Sequence, residues 1–230
     1  MPNKEWLSRT EALLGEAAMD KLSKARVIIF GVGGVGGYAF EALARSGVEN
    51  IAIVDSDTVS ESNLNRQIIA TRANIGRPKV EVARERALDI NPEAKITLYQ
   101  IFYSEETESE INLADYDYVI DAIDSVSSKI RLIENAVKCG APIISSMGAG
   151  NKLDPTGFKV SDIYKTSVCP LARAIRTELK KRGIKKLKCV YSEEPPALLT
   201  QGRRVPASIA TVPSAAGLVI AAEVIRDITK

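Results

Sequence analysis

The chain has 230 residues, 45% of them hydrophobic and 26% charged, which suffices for one sizeable core and leaves little room for a second domain. It contains no histidine, which excludes Ser-His and Cys-His dyads and most transition-metal sites, and Cys139, Cys169 and Cys189 are spaced too widely for a paired zinc site or a disulfide framework. The net charge of +2 conceals 18 basic and 23 acidic side chains in residues 1–160 against 13 and 6 in residues 161–230, so the C-terminal part is expected to face a polyanion.

In chain order, Leu13, Leu14, Ala17, Ala18 and Leu22 recur at helical spacing and predict one helix within Thr10–Leu22. A strand over Arg26–Phe30, a glycine loop, a helix through Ala44 and a second strand over Ile51–Val54 form a βαβ unit. The alternation continues with a helix over Pro78–Ile90, a strand near Ile96–Tyr99, a helix within Ser104–Leu113 and a strand over Tyr118–Asp121. Val126–Cys139 reads as a helix closed by Gly140, and Pro142–Ser145 as a strand. Beyond Asn151 come a turn at Asp154–Gly157, a short strand over Phe158–Val160, a basic helix over Cys169–Arg182, a strand over Leu187–Tyr191, a mobile loop at about 192–206, and a closing helix over Thr211–Ile228. This order predicts a Rossmann-like α/β fold, a doubly wound and mainly parallel sheet extended by antiparallel strands in the C-terminal part. The apolar run Ala215–Ala222 is far shorter than the ~20 residues of a spanning helix, and the N-terminus has no basic-then-apolar leader pattern, so a cytoplasmic protein without a membrane partner is expected.

The chemistry concentrates after the first strand. Gly31, Gly33, Gly34 and Gly36 stand at a strand-to-helix turn, where backbone N–H groups and a helix N-terminus can face phosphate oxygens. Asp55 lies about 20 residues further on at the end of the second strand, placed to take ribose hydroxyls. That fingerprint alone serves NAD(H) as well as ATP. The polar segments from Asp55 onward favour a triphosphate: Asp55-Ser56-Asp57, then Ser62-Asn63-Leu64-Asn65-Arg66-Gln67, then Gly76-Arg77-Pro78-Lys79 supply amides, a forked guanidinium and a point charge.

With these motifs and Asp121-Ala122-Ile123-Asp124-Ser125, the chain resembles the ThiF/MoeB/HesA superfamily of adenylating enzymes from about Arg9 to Ile228. The resemblance implies one adenylating domain over 1–230, with a nucleotide-binding part at 1–150 and a substrate-side part at 151–230. It implies ATP and Mg²⁺, with Asp55 on the ribose, Asn65, Arg66 and Lys79 on the phosphates and Asp124 on the metal. Asp57, Asn63, Gln67, Asp121 and Ser125 complete the expected nucleotide set. It further implies a homodimer in which Arg9 reaches the other subunit's nucleotide. A carboxylate nucleophile is already ionised near pH 7, so the missing histidine is no obstacle.

The superfamily's sulfur-carrier activators usually carry two Cys-x-x-Cys pairs, which are absent here. Arg9–Gly15, Tyr118–Ser125 and Gly148–Thr156 look closest to the tRNA threonylcarbamoyladenosine dehydratase branch. That likeness implies adenylation of a threonyl carboxylate on tRNA, then ring closure by the carbamoyl group with loss of AMP. The basic stretch from Arg173 to Lys188, with Arg203 and Arg204, suits an RNA backbone. Val205–Ala210 holds no cysteine and Cys189 falls on a strand, which favours direct cyclisation over a thioester. Adenylation of a carrier protein's C-terminal glycine, a sulfur-transfer partner, and an NAD(H)-binding module remain alternatives.

Overall fold

The computed structural model describes residues 4–197 and 206–230. The helix expected over Thr10–Leu22 is two helices, α1 Ser8–Leu14 and α2 Glu16–Lys24. They break at Gly15, whose φ of +85° suits glycine and strains any L side chain. The break splits the apolar stripe: Met19 and Leu22 are buried while Leu13 is 83% exposed.

Among the described residues seven strands form one sheet: β1 Arg26–Phe30, β2 Asn50–Val54, β3 Lys95–Tyr99, β4 Tyr118–Asp121, β5 Ile143–Ser146, β6 Phe158–Asp162 and β7 Lys188–Ser192. Their spatial order is β3-β2-β1-β4-β5-β7-β6. All neighbours run parallel except β6 against β7. The antiparallel extension is therefore a single edge strand, and β7 itself continues the parallel sheet beside β5.

Helices α3 Gly36–Arg45, α4 Lys79–Ile90, α5 Val126–Cys139, α6 Pro170–Lys181 and α7 Thr211–Thr229 cover the sheet. The period of two along β1 divides the core: Val27 and Ile29 pack with Phe40 of α3 and Ile220 of α7, Ile28 and Phe30 with Leu132 and Ala136 of α5. A further cluster seats Ile175 and Leu179 of α6 on Cys189 and Tyr191. Helix α7 crosses α3 at backbone distance, since a Cβ on Gly217 would stand 2.3 Å from the Val35 carbonyl oxygen. No helix of the described residues is long and apolar enough to cross a membrane.

The helix expected within Ser104–Leu113 does not form. Two 3-10 turns, Glu108–Glu110 and Leu113–Asp115, take its place. Thr107 Oγ1 accepts the Ser104 N–H at 2.9 Å and donates to the Phe102 carbonyl at 2.7 Å, local bonds that compete with helical ones.

Candidate nucleotide-binding active site

The C-terminal ends of β1, β2, β4 and β5 open into a cleft of about 630 Å³, the usual place for a ligand in an open α/β sheet. Gly31 takes φ +87°, and a Cβ there would stand 2.8 Å from the Ala122 carbonyl oxygen. At Gly36 a Cβ would meet the Gly31 carbonyl oxygen at 1.8 Å, so these two glycines let three backbone segments touch. Gly33 and Gly34 line the cleft. Among the described residues the N–H groups from Gly33 to Gly36 have no protein acceptor, and α3 has no side-chain N-cap. An anion at this end of α3 would meet donors and the positive end of the helix dipole.

At the end of β2, the Asp55 carboxylate accepts the Val32 and Asp57 N–H groups, each at 2.9 Å. Burial pushes its carboxyl above the usual range, opposed by the Lys79 ammonium. Lys79, itself buried, puts Nζ 2.7 Å from Asp57 and 3.8 Å from Asp55. This fixes the charge at the cleft wall, because α4 starts at Lys79 and its N–H bonds the Asp57 carbonyl at 3.0 Å.

Arg66 hydrogen-bonds the Ser62 carbonyl at 2.8 Å and Asn65 Oδ1 at 2.9 Å, with its Cγ 3.5 Å from where a Gly34 Cβ would be. The guanidinium thus keeps further donors beside the glycine loop. Gln67 lines the cleft with a buried Oε1 that has no partner among the described residues, and a buried acceptor of this kind is costly unless a ligand or water satisfies it. Asp124 is exposed at the opposite wall. Ile101 and Phe102 give the cleft an apolar side next to Asp55.

The cleft thus gathers Gly31, Gly33, Gly34, Asp55, Asp57, Arg66, Gln67, Lys79 and Asp124. The other expected residues stand outside its lining. Gly36 supports the loop from behind; Asn63 closes a capping box with Ser60; Asn65 Nδ2 donates to the Ser208 carbonyl at 2.9 Å. Ser125 caps α5, Arg9 is exposed on α1, and Asp121 is fully buried against Lys129. Among the described residues no group of three or more His, Cys, Asp or Glu could hold a metal, so a cation bound at Asp124 would draw its remaining ligands from nucleotide oxygens or water.

Sequence reasoning singled out Gly148–Thr156 as a motif but gave this far wall no site residue. Asn151, at φ +57°, accepts the Ala207 N–H on Oδ1 at 2.7 Å, and its carbonyl accepts the Ala197 N–H at 2.7 Å. Lys152 is buried and donates to the Glu194 carbonyl. The flanks of the expected mobile loop are thereby tied to the 148–156 segment, and residues 198–205, with Arg203 and Arg204, lie outside the described residues. Cys169 lines the cleft at the start of α6. Cys189 does not: it is fully buried on β7, and burial pushes its thiol up to about 12, which makes it a small core residue.

The stretch from Arg173 to Lys188 is not one cationic face. Arg176 turns in to the Thr166 carbonyl and Oγ1; Lys188 pairs with Glu223 and Asp227; Lys181 and Arg182 pair with Glu178. Arg173, Lys180, Lys185 and Lys186 are exposed and have no ion pair among the described residues. The carboxylates that claim Lys188 lie far away in sequence, which the basic run alone does not reveal.

The family model described as the ThiF family matches residues 7–230. The chain belongs to the ThiF family. Among relatives of this ThiF-family chain, the tRNA threonylcarbamoyladenosine dehydratase of Bacillus subtilis (strain 168) is 42% identical, over 97% of this chain and 94% of the relative. A second is the tRNA threonylcarbamoyladenosine dehydratase of Escherichia coli (strain K12), 40% identical over 80% of this chain and 72% of the relative. Among solved structures, the E. coli tRNA N6-threonylcarbamoyladenosine dehydratase TcdA in complex with AMP superposes with a TM-score of 0.92 at 35% identity, covering 97% of this chain and 94% of that one. The same enzyme in complex with ATP gives 0.89 at 36% identity, covering 97% and 93%. The Rossmann-like fold and the family read from the motifs both stand.

Proposed function

We propose that this ThiF-family chain is an ATP-dependent tRNA threonylcarbamoyladenosine dehydratase. The observation that carries the reading is the convergence of the uncapped glycine loop, Asp55, Arg66, Lys79 and Asp124 on one cleft, in a chain 42% identical to a dehydratase along nearly its full length. Residues 1–230 act as one adenylating unit, its nucleotide part at 1–150 and its substrate side at 151–230.

The N–H groups of the glycine loop and the N-terminus of α3 hold phosphate oxygens, and Asp55 takes the ribose hydroxyls. Arg66 and Lys79 neutralise the phosphates, which lowers the repulsion met by an incoming carboxylate and stabilises charge on departing pyrophosphate. Asp124 is the carboxylate that would hold a Mg²⁺ ion, which would supply Lewis-acid charge stabilisation there. A threonyl carboxylate oxygen bonds to the α-phosphorus as the bond to pyrophosphate breaks. The carbamoyl group then attacks the activated carbonyl and gives up one N–H proton to solvent, the bond to AMP breaks with the carboxylate oxygen leaving on AMP, and the ring closes with the nucleoside lighter by one water. The cleft supplies orientation for this last step, and no acyl-cysteine is required.

The RNA lies over the substrate side, contacted by Arg173, Lys180, Lys185 and Lys186. Two copies associate so that Arg9 of each enters the other's cleft, and the protein works in the cytoplasm, where a sulfur-transfer protein is a candidate partner. The test is incubation with Mg²⁺, ATP and threonylcarbamoylated tRNA, followed by nucleoside mass spectrometry. Loss of one water with stoichiometric AMP and pyrophosphate is expected. Unchanged RNA overturns the reading, and pyrophosphate exchange driven instead by a ubiquitin-like sulfur carrier would establish the alternative.

A further inference from the structure

Lys129 is wholly buried, deeper than Lys79 or Lys152, and an ammonium at such depth persists only when paired and fully hydrogen-bonded. All its donors are used: Asp121 Oδ2 at 2.8 Å, the Ser146 carbonyl at 3.0 Å and Ser145 Oγ at 3.3 Å. Asp121, also without solvent exposure, accepts the Ser145 hydroxyl at 2.6 Å and, on Oδ1, the Ile123 N–H at 3.1 Å.

Such a pair is a poor device for stability, since an apolar replacement of both partners often serves as well. Its place in the fold explains it better. The bond from Ile123 to Asp121 shapes the turn Ala122–Ile123–Asp124, whose first carbonyl touches Gly31 and whose last residue faces the cleft. The Ser146 carbonyl lies at the exit of β5, from which residues 147–152 line the far wall. One ammonium therefore joins the nucleotide wall to the substrate wall.

We propose that Lys129 is a positioning residue that sets the separation between Asp124 and the 146–152 segment, and so the approach of the substrate carboxylate to the α-phosphate. The inference rests on the nucleotide reading of this cleft. It does not require the substrate to be tRNA.

The test compares the full-length wild type, Lys129→Met and the double variant Asp121→Asn/Lys129→Met. Lys129→Met alone strands a buried carboxylate and is expected to lower Tm by on the order of 10 °C. The double variant is expected to regain most of that loss. Its kcat should nonetheless remain at least about tenfold below wild type while its Kd for ATP stays within about threefold, because misplacement by ~1 Å costs rate more than binding. Recovery of Tm and kcat together overturns the proposal by reducing the pair to a structural one. Should neither variant fold, Lys129→Arg retains the charge in a planar fork that cannot make the same three contacts; it is expected to fold and lose at least about tenfold in kcat, and wild-type kcat overturns the role. A crystal structure of whichever variant folds decides independently of turnover: the spacing of Asp124 and Met147 should change by more than about 0.5 Å, and an unchanged spacing overturns the proposal even where the RNA assay has failed.

Discussion

The two ends of the cleft are held by different physics. At the nucleotide end, backbone meets backbone: Gly36 lies against the Gly31 carbonyl, and Gly31 against Ala122, with no space for one added carbon. At the substrate end, side chains reach across long stretches of sequence, Asn151 Oδ1 to the Ala207 N–H at 2.7 Å, and Glu194 to the Leu153 and Asp154 N–H groups at 2.8 and 3.0 Å. Close contact of backbones tolerates nothing, whereas hydrogen bonds near a surface can be exchanged for water at a net loss of about 1 kcal/mol each. The nucleotide end is therefore expected to be rigid in its demands, and the substrate end adjustable.

The largest effect should come from Gly36→Ala, whose Cβ would overlap the Gly31 carbonyl oxygen at 1.8 Å. AMP should then no longer raise Tm, and a ligand-induced rise equal to wild type would break the contrast. Next come Lys79→Ala and Arg66→Ala, each expected to reduce adenylation by roughly 10²–10³-fold through lost charge stabilisation, measured as pyrophosphate release. Asn151→Gly keeps the φ of +57° within reach but removes the acceptor for the Ala207 N–H. It should raise KM for the nucleic-acid substrate by about fivefold and leave the Kd for ATP alone, whereas a loss of ATP binding would show the two ends to be one unit.

A smaller effect concerns a region remote from both ends. Burial pushes the Asp227 carboxyl up, but hydrogen bonds from Lys188, Tyr118 and Lys230 outweigh it and hold it at about 2. A depressed carboxyl stabilises the fold above its unfolded value of ~3.9, and the contribution disappears as pH falls through about 2. Asp227→Asn should remove about 1 kcal/mol at neutral pH, solvent screening included, and flatten the acid-unfolding curve between about pH 4 and 2 in circular dichroism. The smallest change is expected from Cys189→Ala, which should keep turnover within about twofold because the neutral buried thiol is no nucleophile. Near-complete loss of activity would restore covalent catalysis.

The nucleotide end is readable in the sequence because its signals are local. Strands such as Arg26–Phe30 and Tyr118–Asp121 are continuous apolar runs, and a glycine spacing states its own geometry. Reading fails where distant partners decide. Lys188 reads as part of a cationic face, but Glu223 and Asp227 on α7 claim it. Asp121 reads as a ligand of the nucleotide, yet Lys129 and Ser145 close around it. In the 104–113 segment, Ser104 and Thr107 capture nearby backbone groups, a competition that helical periodicity does not count.

The crossing of α7 over α3 links the nucleotide loop to the order in which the polypeptide is made. Gly217 rests on the Val35 carbonyl and Pro213 lies 3.2 Å from where a Gly34 Cβ would be, so α7 braces the loop that comes after β1. A ribosome adding about 5–20 residues per second needs on the order of ten seconds or more to pass from one to the other. Until α7 emerges, the Gly34–Val35 loop lacks the contacts that Pro213 and Gly217 supply. The nascent protein is thus expected to hold its nucleotide only once α7 has been made.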